Sequence, residues 1–85
     1  MWIQTQDRQK IVNSDHVISI YIRASHTTVN IYADLTKDRE ATYVILGEYK
    51  DRDTCLKVLD GIILGLESMV SVYVMPLGGE VDGRS

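Results

Sequence analysis

The segment Val17-Ile18-Ser19-Ile20-Tyr21-Ile22-Arg23 carries the clearest secondary-structure signal in the chain. Ile18, Ile20 and Ile22 recur with period two and are β-branched, so they share one face of an extended strand. Val17, Ser19, Tyr21 and Arg23 share the other. Asn13-Ser14-Asp15 ahead of it is loop chemistry, because short polar side chains bond their own backbone in turns.

Outward from this strand the pattern repeats. Residues 24–27 make a hairpin-length connection to a second strand over 28–34. There Val29, Ile31 and Ala33 share one face, and Thr28, Asn30, Tyr32 and Asp34 the opposite one. Residues 35–40 are rich in charge and read as a solvated loop. Residues 41–49 form the third long strand, apolar on both faces through Val44 and Leu46, and Tyr43, Ile45 and Tyr49. Apolar side chains on both faces imply a central, doubly covered strand, with Gly47 marking a bulge. On the N-terminal side, residues 1–6 read as a short strand. Residues 10–13 continue it or form a second piece beyond the polar turn Asp7-Arg8-Gln9.

A helix follows, beginning near Asp51 or Asp53, whose carboxylates suit free N–H groups and the positive end of the helix dipole. Leu56, Leu59, Ile62, Ile63 and Leu66 recur at three- and four-residue spacing and make its buried stripe, to about Ser68. Val70, Val72 and Val74 then alternate into a last strand that Pro76 closes. The expected fold is α+β, an antiparallel sheet of about five strands with one C-terminal helix packed on one face, followed by a final short strand. A single domain occupies residues 1–77, and 78–85 is a disordered tail with nothing to bury.

Composition narrows the function classes. At 85 residues there is room for one core only. The formal charge of −3 argues against a nucleic-acid binder held by general phosphate attraction. No apolar run nears the ~20 residues that span a bilayer, and no signal peptide is expected. One cysteine, Cys55, excludes an intramolecular disulfide and a Cys-rich zinc site, so a reducing cytoplasm is the expected location.

The usual signatures of catalysis are missing from the sequence. His16 and His26 sit at strand ends, where they read as surface residues before they read as a ligand pair across a hairpin. Cys55 lies in the first helical turn, where a dipole could favour its thiolate, but no general base partners it and a small buried thiol is the plainer reading. No metal, cofactor or catalytic set is proposed. Gly61 and Gly65 flatten one side of the helix and allow close backbone approach, either to the chain's own sheet or to a second protomer. One helix cannot cover the sheet from both sides, so a homo-oligomer is expected, through Gly61 and Gly65 or through the outer sheet face.

That outer face concentrates the recognition chemistry. Tyr21, Arg23, Asn30 and Tyr32 share it, and tyrosine and arginine are over-represented where proteins bind partners. Alternatively these are cross-strand pairs on an ordinary polar face, with Arg23 paired to Asp34.

Met1-Trp2-Ile3, Ile11-Val12-Asn13 with Asp15, Leu46-Gly47-Glu48-Tyr49, Val58-Leu59-Asp60-Gly61-Ile62 and Tyr73-Val74-Met75-Pro76 together resemble a set of small proteins of Gram-positive bacteria and their phages and prophages. The resemblance spans nearly the whole domain; the charged segment 35–40 departs from it. It carries no catalytic residues, and it implies a phage or prophage setting with an anti-defence or regulatory role. The function expected is that of a non-enzymatic oligomeric binding protein that sequesters a small nucleotide-type ligand. The alternative is a protein–protein module that occludes a host protein, and a small enzyme using Cys55 or the histidines is a third class.

Overall fold

Three long alternating runs give three long strands, and each pairs antiparallel with its sequence neighbour. The computed structural model describes residues 1–35 and 42–79. In chain order it contains β1 (Trp2–Gln4), β2 (Ile11–Asn13), a 3-10 turn (Ser14–His16), β3 (Val17–Ala24), β4 (Val29–Leu35), β5 (Thr42–Tyr49), α1 (Arg52–Glu67) and β6 (Val72–Val74). The class is α+β. Among the described residues the strands number six and not five, and they form two sheets in place of one, ordered β2-β1-β6 and β3-β4-β5. The smaller sheet is mixed, because β6 returns parallel to β1 while β2 runs antiparallel to it. Of the charged segment 35–40 only Leu35 is described, as the last residue of β4; of the tail expected over 78–85, only the exposed Gly78 and Gly79 are.

The core lies where both sheets and the helix meet. Ile3 and Val12 come from the small sheet, Ile31, Ala33, Val44 and Leu46 from the large one, and Val58 and Ile62 from α1. Helix α1 contacts all three strands of the large sheet.

Three side-chain assignments change in the folded chain. A bulge between Val17 and Ser19 turns Val17 inward with Ile20 and Ile22 and leaves Ile18 69% exposed. The three isoleucines therefore do not share a face, because one extra residue in a strand inverts the alternation beyond it. Strand β5 is an edge and β4 is central; Tyr43 and Ile45, which suggested a doubly covered strand, project from the outer face and are exposed. The bulge expected at Gly47 is present, between the pairs Ile31↔Gly47 and Tyr32↔Ile45, with Leu46 as the extra residue. Gly47 is required there: a Cβ would stand 2.8 Å from the ring of Tyr49, whose hydroxyl donates to the Pro76 carbonyl.

The third change is the rotation of α1. It buries Thr54, Cys55, Val58, Ile62 and Gly65, and of the expected stripe only Ile62 is buried. Leu59 is half-buried, while Leu56, Ile63 and Leu66 are exposed. Two glycines explain the rotation. A Cβ at Gly61 would meet the Tyr73 hydroxyl at 2.7 Å, and one at Gly65 would meet Met1 and Val70 at 3.3 Å. Gly61 and Gly65, read as a close approach either to the chain's own sheet or to a second protomer, receive the chain's own β6 and N-terminus.

Both helix ends are closed. Asp51 caps the start, accepting from the Thr54 N–H and hydroxyl at 2.8 and 2.7 Å, which holds its carboxyl below the ordinary 3.8. That contribution is complete above the ordinary value and fades as pH falls through the lowered one. At the C-terminus Val70 N–H donates to Gly65 and Met69 N–H to Leu66, the double bond of a Schellman turn. The residue in left-handed conformation is Met69 (φ 58), 88% exposed, where glycine is the usual occupant. Met69→Gly should stabilise the chain by about 0.5–1.5 kcal/mol in urea unfolding, because it removes the left-handed strain of a side chain that packs on nothing.

Candidate functional site

The outer face of β3–β4–β5 is built by register. Tyr21 lies opposite Tyr32, and Arg23 opposite Asn30, so the four residues singled out in the sequence form two adjacent cross-strand pairs. The rings of Tyr21 and Tyr32 stack with centroids 5.5 Å apart and planes 7° from parallel. Tyr43 extends the row at 5.4 Å from Tyr32, tilted by 51°. A continuous ladder of three tyrosines therefore crosses all three strands, with Ile45 exposed beside it opposite Tyr32.

Tyr43 is an addition that the sequence pattern missed, while Asp34, already placed on this face, bonds Tyr21 and Ser19 and not the expected Arg23. The signal for Tyr43 was its place on the outward phase of β5, but its neighbour depends on the register across residues 36–41. Asp34 accepts from the Tyr21 hydroxyl at 3.1 Å and from Ser19 at 3.4 Å. Partial burial, and then the Asp34 carboxylate on its hydroxyl, push the Tyr21 phenol above its ordinary 10.0.

Arg23 and Asp34 form no ion pair. Asp34 stands opposite Ser19 and Arg23 opposite Asn30, four residues apart along β3, roughly 13 Å at ~3.3 Å per residue. Arg23 is exposed, whereas Asn30 beside it is buried, its Oδ1 accepting from Thr28 at 3.4 Å.

The groups weighed for catalysis are dispersed. His16 closes the 3-10 turn before β3 and His26 sits in the turn after it, at opposite ends of an eight-residue strand. They cannot share a ligand. Among the described residues no group of three or more His, Cys, Asp or Glu could hold a metal ion. Cys55 is buried, its thiol against the Val29 carbonyl at 3.6 Å, and burial pushes it above its ordinary value, so the nucleophilic thiolate is disfavoured. No helix among the described residues is long and apolar enough to cross a membrane. No family model, curated protein or solved structure matches the chain.

The bond between Tyr21 and Asp34 has a direct readout. Asp34→Asn should lower the Tyr21 phenol toward 10 in a pH titration of its ring resonances, leaving Tyr73 unmoved. Because the folded value is raised, the stability this bond provides is present below pH 10 and is lost as pH rises through the raised value.

Proposed function

We propose that this chain is a non-enzymatic binding protein whose recognition surface is the outer face of β3–β4–β5. The observation that carries the reading is the tyrosine ladder, Tyr21–Tyr32–Tyr43, laid open across the sheet with Ile45 beside it. Stacked rings are held rigidly by the strands, so they offer apolar area and hydroxyls at low entropic cost. A flat surface of this kind suits a protein partner, because small molecules take concave sites. Of the two binding roles expected from the sequence, occlusion of another protein is therefore the one we adopt, in the phage or prophage setting that the resemblance implies.

Arg23 supports a second reading. Its guanidinium is exposed, makes no ion pair among the described residues and lies on the same face as the rings. A nucleotide-type ligand could set its base against the ladder and its phosphate on Arg23.

One pair of experiments separates them. A photo-crosslinking residue at Tyr43 should yield a single heterologous protein adduct in the producing cell. Tyr32→Ala should weaken that interaction about 30-fold, and the same probe at Lys57 on α1 should yield none. Equal adducts from both positions would contradict the protein reading. A rise in melting temperature with mononucleotides or cyclic dinucleotides, abolished by Arg23→Ala, would replace it with the ligand reading.

A further inference from the structure

Helix α1 carries an apolar stripe that its own fold does not use. Leu56, Leu59, Ile63 and Leu66 follow the 3-4-3 spacing of a helix–helix seam. Leu59 is half-buried, and the other three are exposed, Ile63 by 53%. Arg52, one turn ahead of Leu56 on the same line, ends the seam. Beside the stripe lies β3, an edge of the large sheet that pairs with no described residue. The β5 edge, in contrast, is closed by Gln6. Its N–H donates to the Leu46 carbonyl at 2.8 Å, and its side-chain amide donates to and accepts from the Glu48 backbone at 3.0 and 2.9 Å. Between Leu59, Ile63 and Leu66 on one wall and Ile18 and Ile20 of β3 on the other runs an apolar groove of about 460 Å³, with Asp15 at its rim.

An acidic row borders this stripe. Asp53, Asp60 and Glu67 recur at seven-residue spacing, and all three are exposed. Seven residues are close to two helical turns, so the carboxylates line up along α1. Asp53 and Asp60 are the three- and four-residue neighbours of Leu56, and Asp60 and Glu67 those of Ile63. The row therefore follows the stripe on the side away from β3. No ion pair among the described residues engages it. Lys57, the other cation of α1, lies beyond the row, farther from the stripe.

We infer that the groove between α1 and β3 takes an amphipathic helix of a partner protein, its apolar line seated on the stripe and a flanking row of Lys or Arg set against Asp53, Asp60 and Glu67. The period selects a helix. Apolar and acidic residues on α1 both follow a seven-residue repeat, which a second helix matches and a strand of period two does not. The bulge between Val17 and Ser19 also breaks the β3 edge, which hinders an added strand. Charge selects a basic partner over a second copy of this chain. Two α1 stripes meeting antiparallel would set Leu56 against Leu66 and Leu59 against Ile63. The same arrangement brings Asp60 toward Asp60 of the other copy and Asp53 toward its Glu67, so like charges oppose each other along the joint. Those carboxylates also repel an anionic lipid surface, which favours basic flanks. The length fits a short helix: Leu56 to Leu66 spans about 15 Å at ~1.5 Å per residue, three turns of an incoming chain. The groove and the tyrosine ladder lie on opposite faces of the large sheet, so this inference does not rest on the reading of the ladder.

The probe is a synthetic peptide of ~18 residues, long enough to form a helix, with Leu at the seam positions and Lys along one flank. One control carries Glu in place of Lys; another has the same composition in an order without helical period. Titrated into the isotope-labelled full chain, the Lys peptide should shift amide resonances of α1 and of Ile18 to Ile20, and leave Tyr32 and Tyr43 unmoved. It should bind at least about tenfold more tightly than either control, and more weakly as salt is raised. Ile63→Lys should weaken it at least about tenfold and Asp60→Lys about fivefold, whereas Tyr32→Ala should change nothing. Asp60→Lys decides the matter if Ile63→Lys fails to fold. Absence of shifts at millimolar peptide would overturn the proposal, as would equal affinity for a control or shifts confined to the tyrosine face. A dimer of the free chain that Ile63→Lys dissociates would assign the groove to a second copy and overturn it too.

Discussion

Tyr73 seats the helix. Its hydroxyl stands where a Cβ at Gly61 would be, at 2.7 Å, and together with Met1 and Val70, which a Cβ at Gly65 would press on at 3.3 Å, it sets the height and rotation of α1. Glycine inside a helix costs about 1 kcal/mol relative to alanine, so two of them four residues apart need a packing reason. Tyr73, with Met1 and Val70, supplies it. The rotation it sets sends Val58 and Ile62 into the core against Ile31 and Leu46, and keeps Ile63 and Leu66 out. Everything functional proposed for this molecule follows from that division. The arc of α1 beside β3 stays apolar and open, and the far side of the sheet stays uncovered for the tyrosines.

A polar clasp completes the frame. Gln6 uses its backbone and its amide to pair with β5 as a short strand would, and also reaches the Pro76 carbonyl at 3.3 Å, which Tyr49 shares. Arg8, itself in left-handed conformation (φ 66), donates to the Met75 carbonyl at 2.8 Å. These bonds tie the small sheet and the segment after β6 to one edge of the large sheet. They explain why that edge is closed and the β3 edge is the one left open.

Much of the secondary structure was legible in the sequence because period-two and helical repeats are local. The cross-strand pair Tyr21 with Tyr32 was legible too, since a short turn at His26 and Thr27 fixes the register, whereas Arg23, read against Asp34, stands opposite Asn30. What the sequence hid was not local. Ile18 looked like a core residue because a bulge leaves no mark in composition. Ile63 and Leu66 looked buried because every large apolar residue on α1 was counted toward one stripe, when the glycines and Cys55 mark the true inward face. Gln6 is an unremarkable polar residue until β5 is beside it. Tyr43 needed a register set across residues 36–41.

The seat of α1 on Tyr73 is tested most directly by a double-mutant cycle in urea. In the wild-type background Gly61→Ala should destabilise, because the new Cβ meets the Tyr73 hydroxyl at 2.7 Å. In the Tyr73→Phe background, where that oxygen is gone, the same substitution should stabilise by up to about 1 kcal/mol through helix propensity. A change of sign is the result this account predicts. The same effect of Gly61→Ala in both backgrounds would contradict it.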